Sequence, residues 1–360
     1  MQVNSNIYSE AERQLRICNA CRYCEGYCAV FKAITIRRDF DKNNLIYLAH
    51  LCHDCRDCYY ACPFIDDHEF SINIPKIMSE IRLLTYKEIG FPKRISSYSF
   101  SNPNRFTLLV TLLSIALTFL FSFLLHGKII GKISSFYQIL PYNVIVTVAS
   151  LITILIVTYW ITISLKYIKE INLKEINLNI LIYSLEQALS HKWFRGGGAG
   201  CDYPFYSGGY RRLLMHLFIV LGFILDIFST ISAAIMQNIL RIYPPYPILS
   251  LPVLLGLIGG ILIIIGSSFL LVMKIISDIR PEQKTMKLLD YNLLIILDMI
   301  ILTGFLTLGF RSTIFIGIIF NVHLGLVLSL YILTFYGKLV HIPFRFLSLA
   351  KFNGETKVKR

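Results

Sequence analysis

Apolar and polar positions are distributed in two ways along this chain. Up to about residue 100 they interleave as in a water-facing helical domain. Leu45, Leu48 and Ala49 recur at helical spacing ahead of Cys52, and Ile77, Ile81 and Leu84 do so after Pro75, a residue suited to a first helical turn. Asn43 and Asn44 stand where a helix cap is expected. From Arg105 onward long apolar runs take over. A membrane-crossing helix needs about 20 mostly apolar residues. Six stretches qualify: 106–125, 144–165, 213–234, 249–273, 288–310 and 314–336, the last with room to run on to His341 before Pro343 stops it. The pattern predicts a mainly α protein. An N-terminal helical domain covers 1–100, a transmembrane bundle of six helices covers 101–345 with a glycine-rich loop at 190–210, and a basic tail covers 346–360.

Charge sets the expected orientation. The chain has 35 Lys and Arg against 22 Asp and Glu, a net charge of +13. The loops at 166–212 and 274–287 and the stretch after residue 337 are rich in Lys and Arg, whereas the opposite loops hold only Lys128, Lys132, Arg241 and Arg311. Basic loops stay on the cytoplasmic side, so both termini, the N-terminal domain and the glycine-rich loop are expected there, at a bacterial inner membrane. The first thirty residues contain no apolar run of signal-peptide type. The basic surplus is thus accounted for by the bilayer, and nucleic acid is not an expected partner.

Cysteine spacing brings in the chemistry. Cys18, Cys21, Cys24 and Cys28 form a C-x2-C-x2-C-x3-C run, and Cys52, Cys55, Cys58 and Cys62 form a second, followed by Pro63. In a reducing compartment such crowding points to metal rather than disulfides. The doubled run is that of two-cluster ferredoxins, in which the fourth cysteine of each run ligates the other cluster. One [4Fe-4S] cluster is then expected on Cys18, Cys21, Cys24 and Cys62, and the other on Cys52, Cys55, Cys58 and Cys28. The competing reading, paired zinc sites, needs only cysteine pairs. Helical flanks favour an α-helical ferredoxin-like fold. His50, His53 and His68 nearby read as surface or supporting residues.

Ionisable residues inside apolar spans are costly and tend to face the bundle interior. His216 lies about one turn into the third span, with Arg212 one turn earlier, placed for a haem propionate. His323 is nearer mid-membrane on the sixth span and His341 near its cytoplasmic end. Depth favours His341 as the mate of His216 for a b-type haem, and burial favours His323. Along one continuous helix those two are about 27 Å apart, too far to share an iron. His126 could mate with His323 only around a second haem. Asp226 and Asp298 are candidate proton carriers for quinone chemistry, or neutral acids bonded to a neighbouring helix. Gly196-Gly197-Gly198-Ala199-Gly200-Cys201-Asp202-Tyr203-Pro204 lacks the strand and the Lys of a phosphate loop. Its glycines suit close backbone packing, and Cys201 reads as a free thiol.

The doubled cysteine run, this loop, Arg211-Arg212 before His216, Tyr246-Pro247 with Ser250-Leu251-Pro252, His323-Leu324-Gly325 and Tyr336-Gly337-Lys338-Leu339-Val340-His341 together resemble the TcuB/CitB family of tricarballylate and citrate utilization proteins over nearly the whole chain. The resemblance implies two [4Fe-4S] clusters and a b-type haem that reoxidise the flavin of an FAD-dependent dehydrogenase and deliver its electrons to membrane quinone. The family pattern has a further histidine where this chain has Met215 and another where it has Ala199, which bears on the choice of haem ligands. No pocket signature for an organic acid is visible, so substrate oxidation is assigned to the partner. Rival readings are service to another flavoprotein of fumarate or succinate type, a membrane redox sensor, and a transporter energised by the head. A sensor needs an output domain, and the stretch after Pro343 is too short to fold as one. For a transporter, Gly256, Gly259 and Gly260 are the sole hint of a broken helix.

Overall fold

The computed structural model describes residues 2–174, 177–195 and 210–357. Those residues form helices and connections, without a strand. The head consists of α1 (Gln2–Cys21), α2 (Ala29–Thr35), α3 (Lys42–Leu51), α4 (Asp57–Tyr60), α5 (Ile74–Ile89) and α6 (Lys93–Ser101). Then come α7 (Pro103–Leu124), α8 (Tyr142–Glu170), the short α9 (Leu178–Leu189), α10 (Arg211–Asn238), α11 (Leu251–Ile276), α12 (Lys284–Gly309), α13 (Ile316–Tyr336) and α14 (His341–Lys357). α7, α8 and α10 to α13 are each long and apolar enough to cross a membrane. The chain is a multi-pass membrane protein.

Local chemistry explains the helix boundaries. α3 is capped by Asp41, whose carboxylate accepts from the Asn44 backbone N–H at 2.8 Å, and not by Asn43 or Asn44. A carboxylate two residues before Asn43 takes the orphan N–H while the asparagines become part of the first turn. α5 is capped by Asn73 and carries Pro75 in its first turn, as expected. The sixth span departs from expectation. It ends at Tyr336, where Gly337 takes an extended backbone, and a single 3-10 turn leads to a new helix at His341. Pro343 therefore lies in the opening turn of α14, where its missing N–H costs nothing, instead of ending α13.

The described part of the expected basic tail, through Lys357, belongs to α14, and α14 is built into the head. Phe344, Leu347, Leu349, Ala350 and Phe352 are buried. An aromatic joint ties the two parts together. His50 of α3 stacks on Phe344 of α14 at 4.9 Å between ring centres, and Tyr167 of α8 meets Phe344 edge-on at 4.6 Å. Tyr86 of α5 closes the joint 5.5 Å from the Phe344 ring. Ion pairs reinforce it: Arg37 of the head holds Glu355 of α14 at 2.6 Å.

Contacts at the two ends fix the direction of each span. The Asn73 side chain donates to the Arg280 carbonyl between α11 and α12, and Lys351 donates to the Ile171 carbonyl just after α8, so those connections lie on the head side. At the far end the Gly131 N–H bonds the Ile314 carbonyl, and Arg311 bonds the Tyr246 carbonyl. The described residues of the basic loops noted above thus share the head side. Within the bundle α10 packs against α11 through Gly222 and Gly259. A Cβ on Gly222 would lie 2.6 Å from the Gly259 carbonyl oxygen, which only glycine permits at this approach.

Candidate functional site

The head brings the eight cysteines into two groups of four. One cavity is lined by Cys28, Cys52, Cys55 and Cys58. A second is lined by Cys18, Cys21, Cys24 and Cys62. Each group takes three cysteines from one run and the fourth from the other, the exchange that the spacing predicts. Turns do this locally. Arg22, Asp54 and Arg56 adopt left-handed backbone conformations, which curl the loops around each cavity. α4 and α2 then carry Cys58 and Cys28 to their places, and Cys28 stands immediately before α2.

The eight cysteines are free thiols. Burial, aided by neighbouring thiols, pushes Cys18 and Cys24 up to about 12 and raises Cys28, Cys58 and Cys62 in the same direction. Burial also raises Cys52, against the pull of Arg82. Such thiols stay protonated until a cation replaces the protons. Among the described residues no three His, Cys, Asp or Glu side chains are set for a single metal ion. Two quartets, each around a cavity, fit a multi-iron cubane held at its corners, in donor number and in thiol chemistry.

The two cavities differ in surroundings. Cys21 is exposed, and Tyr23 beside it is 62% exposed. Around the other quartet cations gather. Arg82 donates to the Cys52 carbonyl at 3.0 Å and lies 3.8 Å from Asp54. Arg345 of α14 donates to the same carbonyl at 3.1 Å and also bonds His53. Burial pushes the Arg345 guanidinium down to about 10, which leaves it charged at neutral pH. Arg56, between Cys55 and Cys58, pairs with buried Glu282 of the α11–α12 connection. Lys287 holds the same carboxylate at 2.9 Å, and Lys274 reaches on to Asp290 at 2.6 Å, which Lys338 also holds at 2.5 Å.

A histidine patch adjoins this quartet. His191 Nδ1 lies 2.9 Å from the Leu189 carbonyl, and its Nε2 lies 2.8 Å from Nδ1 of His216. A carbonyl only accepts, so His191 donates from Nδ1, and its Nε2 accepts the proton of His216 Nδ1. His216 is left with a free lone pair on Nε2. His341 repeats the pattern: its Nδ1 donates to the Lys338 carbonyl at 2.7 Å, so its Nε2 is also free. His216 and His341 are near enough to act on each other electrostatically, together with Arg212 and Arg345. Arg212 lies over the Phe194 ring at 5.4 Å. His53 joins the same patch, and burial with these neighbouring charges lowers its basicity. Two imidazoles with free Nε2 lone pairs beside the Arg212 guanidinium fit the donor set of a bis-histidine haem with a propionate held by that arginine.

His323 lies elsewhere, on the α12–α13 contact, where its Nδ1 donates to Thr303 at 3.1 Å. With α13 broken at Gly337 it does not share a helix with His341. Asp298 accepts from Ser267 and, at 3.1 Å, from Ser268, and is thus bonded to the neighbouring helix α11. Asp226 faces Gly259 of α11. His50 sits in the aromatic joint, and His68 accepts from the Phe70 N–H at 3.1 Å. Cys201 and its glycine-rich loop lie outside the described residues. Sequence reasoning missed His191. It stands on no predicted span and in no motif, and only its three-dimensional place beside His216 marks it.

Residues 11–88 match the family described as Citrate utilization protein B Fer4-like domain, and residues 103–360 match Citrate utilization protein B. The curated Citrate utilization protein B of Escherichia coli is 33% identical over 352 residues, which covers 97% of this chain and 93% of the relative. The chain belongs to the citrate utilization protein B family. No solved structure matches it. In this family member the Fer4-like head is the part that holds both cysteine quartets.

Proposed function

We propose that this protein is a membrane electron-transfer component that takes electrons from the reduced flavin of a partner dehydrogenase and passes them to quinone. The substrate class of that partner is a tricarboxylic acid of the tricarballylate type. The observation that carries the reading is the pair of interleaved cysteine quartets, each around its own cavity. Cys18, Cys21, Cys24 and Cys62 would hold one [4Fe-4S] cluster, and Cys28, Cys52, Cys55 and Cys58 the other. Bound there, the clusters supply one-electron chemistry, while the protein fixes distances and potentials.

His216 and His341 are the proposed axial ligands of a b-type haem, with Arg212 as a propionate partner. His191 orients His216, since a ligating imidazole is held by a bond from its other nitrogen. Order along the path follows exposure. Cys21 and Tyr23 face the solvent, where a soluble flavoprotein can reach, and the second quartet adjoins the histidine patch. The flavin gives up two electrons, which cross singly, and quinone takes both with two protons. The basic head-side loops support a cytoplasmic head at the inner membrane.

The test is anaerobic purification with iron and sulfide assay, followed by quinone reduction with a reduced flavoprotein as donor. Two cubanes per chain, a b-type reduced-minus-oxidised spectrum and flavin-dependent quinone reduction are expected. Material with zinc and no labile sulfide would sink the reading.

A further inference from the structure

Arg345 stands apart from the other cations near the cysteines. Arg56 has Glu282, and Arg82 has Asp54. Arg345 has hydrogen bonds to the Cys52 carbonyl and to His53, and among the described residues no carboxylate pairs with it. A guanidinium withdrawn from water needs a countercharge. Its electrostatic neighbours are Cys52, Cys28 and Cys55, together with the like charge of Arg82, which Asp54 offsets. A cubane held by four thiolates carries net negative charge in both oxidation states, and one unit more when reduced. The cluster site is thus the missing partner, and the pairing strengthens on reduction.

We propose that the two cysteine sites are electrically unequal, and that Arg345, brought in by the C-terminal helix, makes the Cys28/Cys52/Cys55/Cys58 site the more easily reduced. The inference rests on the iron–sulfur reading and adds a direction to it. One electron leaves the exposed site, which is oxidised, and arrives at the buried site, which is reduced; no bond is made or broken. Burial alone acts the other way, because it disfavours added charge. Cations at contact range in the same low-dielectric surroundings reverse that, since charge and solvent exposure both set cluster potentials. On the exposed side the balance differs. No charged side chain lines that cavity, whereas Arg56 and Asp57 line the buried one, and no arginine figures among the groups acting on Cys18 or Cys24.

The experiment is an EPR-monitored redox titration of the purified full-length protein, prepared anaerobically after iron and sulfide assay. Cys58→Ser identifies the wave of the buried site by removing it. The wild type should show two waves, with the buried site at the higher midpoint. Arg345→Gln should lower that midpoint and leave the other unmoved, and Arg345→Lys, which keeps the charge, should hold it near the wild-type value. Asp54→Asn is a second, isosteric probe that does not disturb α14. It removes a negative charge beside Arg82 and should raise the same midpoint. The proposal is overturned if the buried site has the lower midpoint, or if Asp54→Asn moves only the other wave. It also falls if Arg345→Gln leaves both cluster waves in place, including the case where it moves only a haem midpoint. A preparation without iron and sulfide removes the functional reading itself, which separates that failure from this one.

Discussion

Nε2 of His191 accepts a hydrogen bond from Nδ1 of His216 at 2.8 Å, across a connection that joins the short amphipathic helix α9 to the third membrane span. The bond fixes the tautomer of His216 and points its free nitrogen away from His191. If His216 is an axial ligand, His216→Ala should abolish haem, whereas His191→Ala should keep the haem but weaken its hold about 10–100-fold. His191→Gln, which restores an acceptor, should recover most of the loss. Haem per polypeptide and the reduced-minus-oxidised spectrum report this. Full haem retention in His216→Ala would show the assignment to be wrong.

The crossed quartets make a separate prediction. Cys28→Ser should disable the site of Cys52, Cys55 and Cys58, and Cys62→Ser the site of Cys18, Cys21 and Cys24. Each variant should lose about half of its iron and a different EPR signal. If Cys28→Ser removes the signal that Cys18→Ser removes, the exchange between runs does not occur.

Much of this was legible in the sequence, for identifiable reasons. Membrane spans are set by length and apolarity, which are local, so all six are found within a few residues. The cysteine exchange is set by spacing within two short loops. What was not legible depends on distant segments meeting. His191 gains its role only from His216, and Arg345 only from Cys52. The break at Gly337 was also hidden, because apolar residues continue beyond it and Pro343 reads equally as a stop or a start. The bonded state of Asp298 required knowing that Ser267 and Ser268 face it.

Glu282 is 6% exposed and meets three cations, Arg56, Lys287 and Lys274. Glu282→Gln leaves buried positive charges without their counterion, a class of change that costs about 3–5 kcal/mol. A clear fall in thermal unfolding temperature in detergent is expected, together with loss of iron from the site containing Cys55 and Cys58. An unchanged unfolding temperature would remove Glu282 from the architecture of the head–membrane junction.

The α10–α11 contact offers a test of spacing. An alanine at Gly259 would place its Cβ 2.6 Å from the Asp226 carboxylate and 2.9 Å from the Gly222 carbonyl oxygen. Helix propensity favours alanine by about 1 kcal/mol, but the backbone clash opposes it with about 1–3 kcal/mol. Gly222→Ala meets the Gly259 carbonyl at 2.6 Å and should be worse tolerated than Gly256→Ala, whose nearest neighbour is a serine hydroxyl at 3.2 Å. Thermal stability of the two variants, measured side by side, decides this; equal stability would mean that the helices do not approach so closely.

The bond from Arg345 to Cys52 spans 293 positions of sequence. At ribosomal speeds of about 5–20 residues per second, roughly 15–60 s separate the emergence of the first thiols from that of the guanidinium that faces them. Six apolar segments have to enter the bilayer in that interval. The second cysteine pocket is therefore finished last although its ligands are made first, and maturation of this protein has a built-in order. Nascent chains arrested before His341 should incorporate labelled iron poorly at Cys52, Cys55 and Cys58, and release past α14 should restore it.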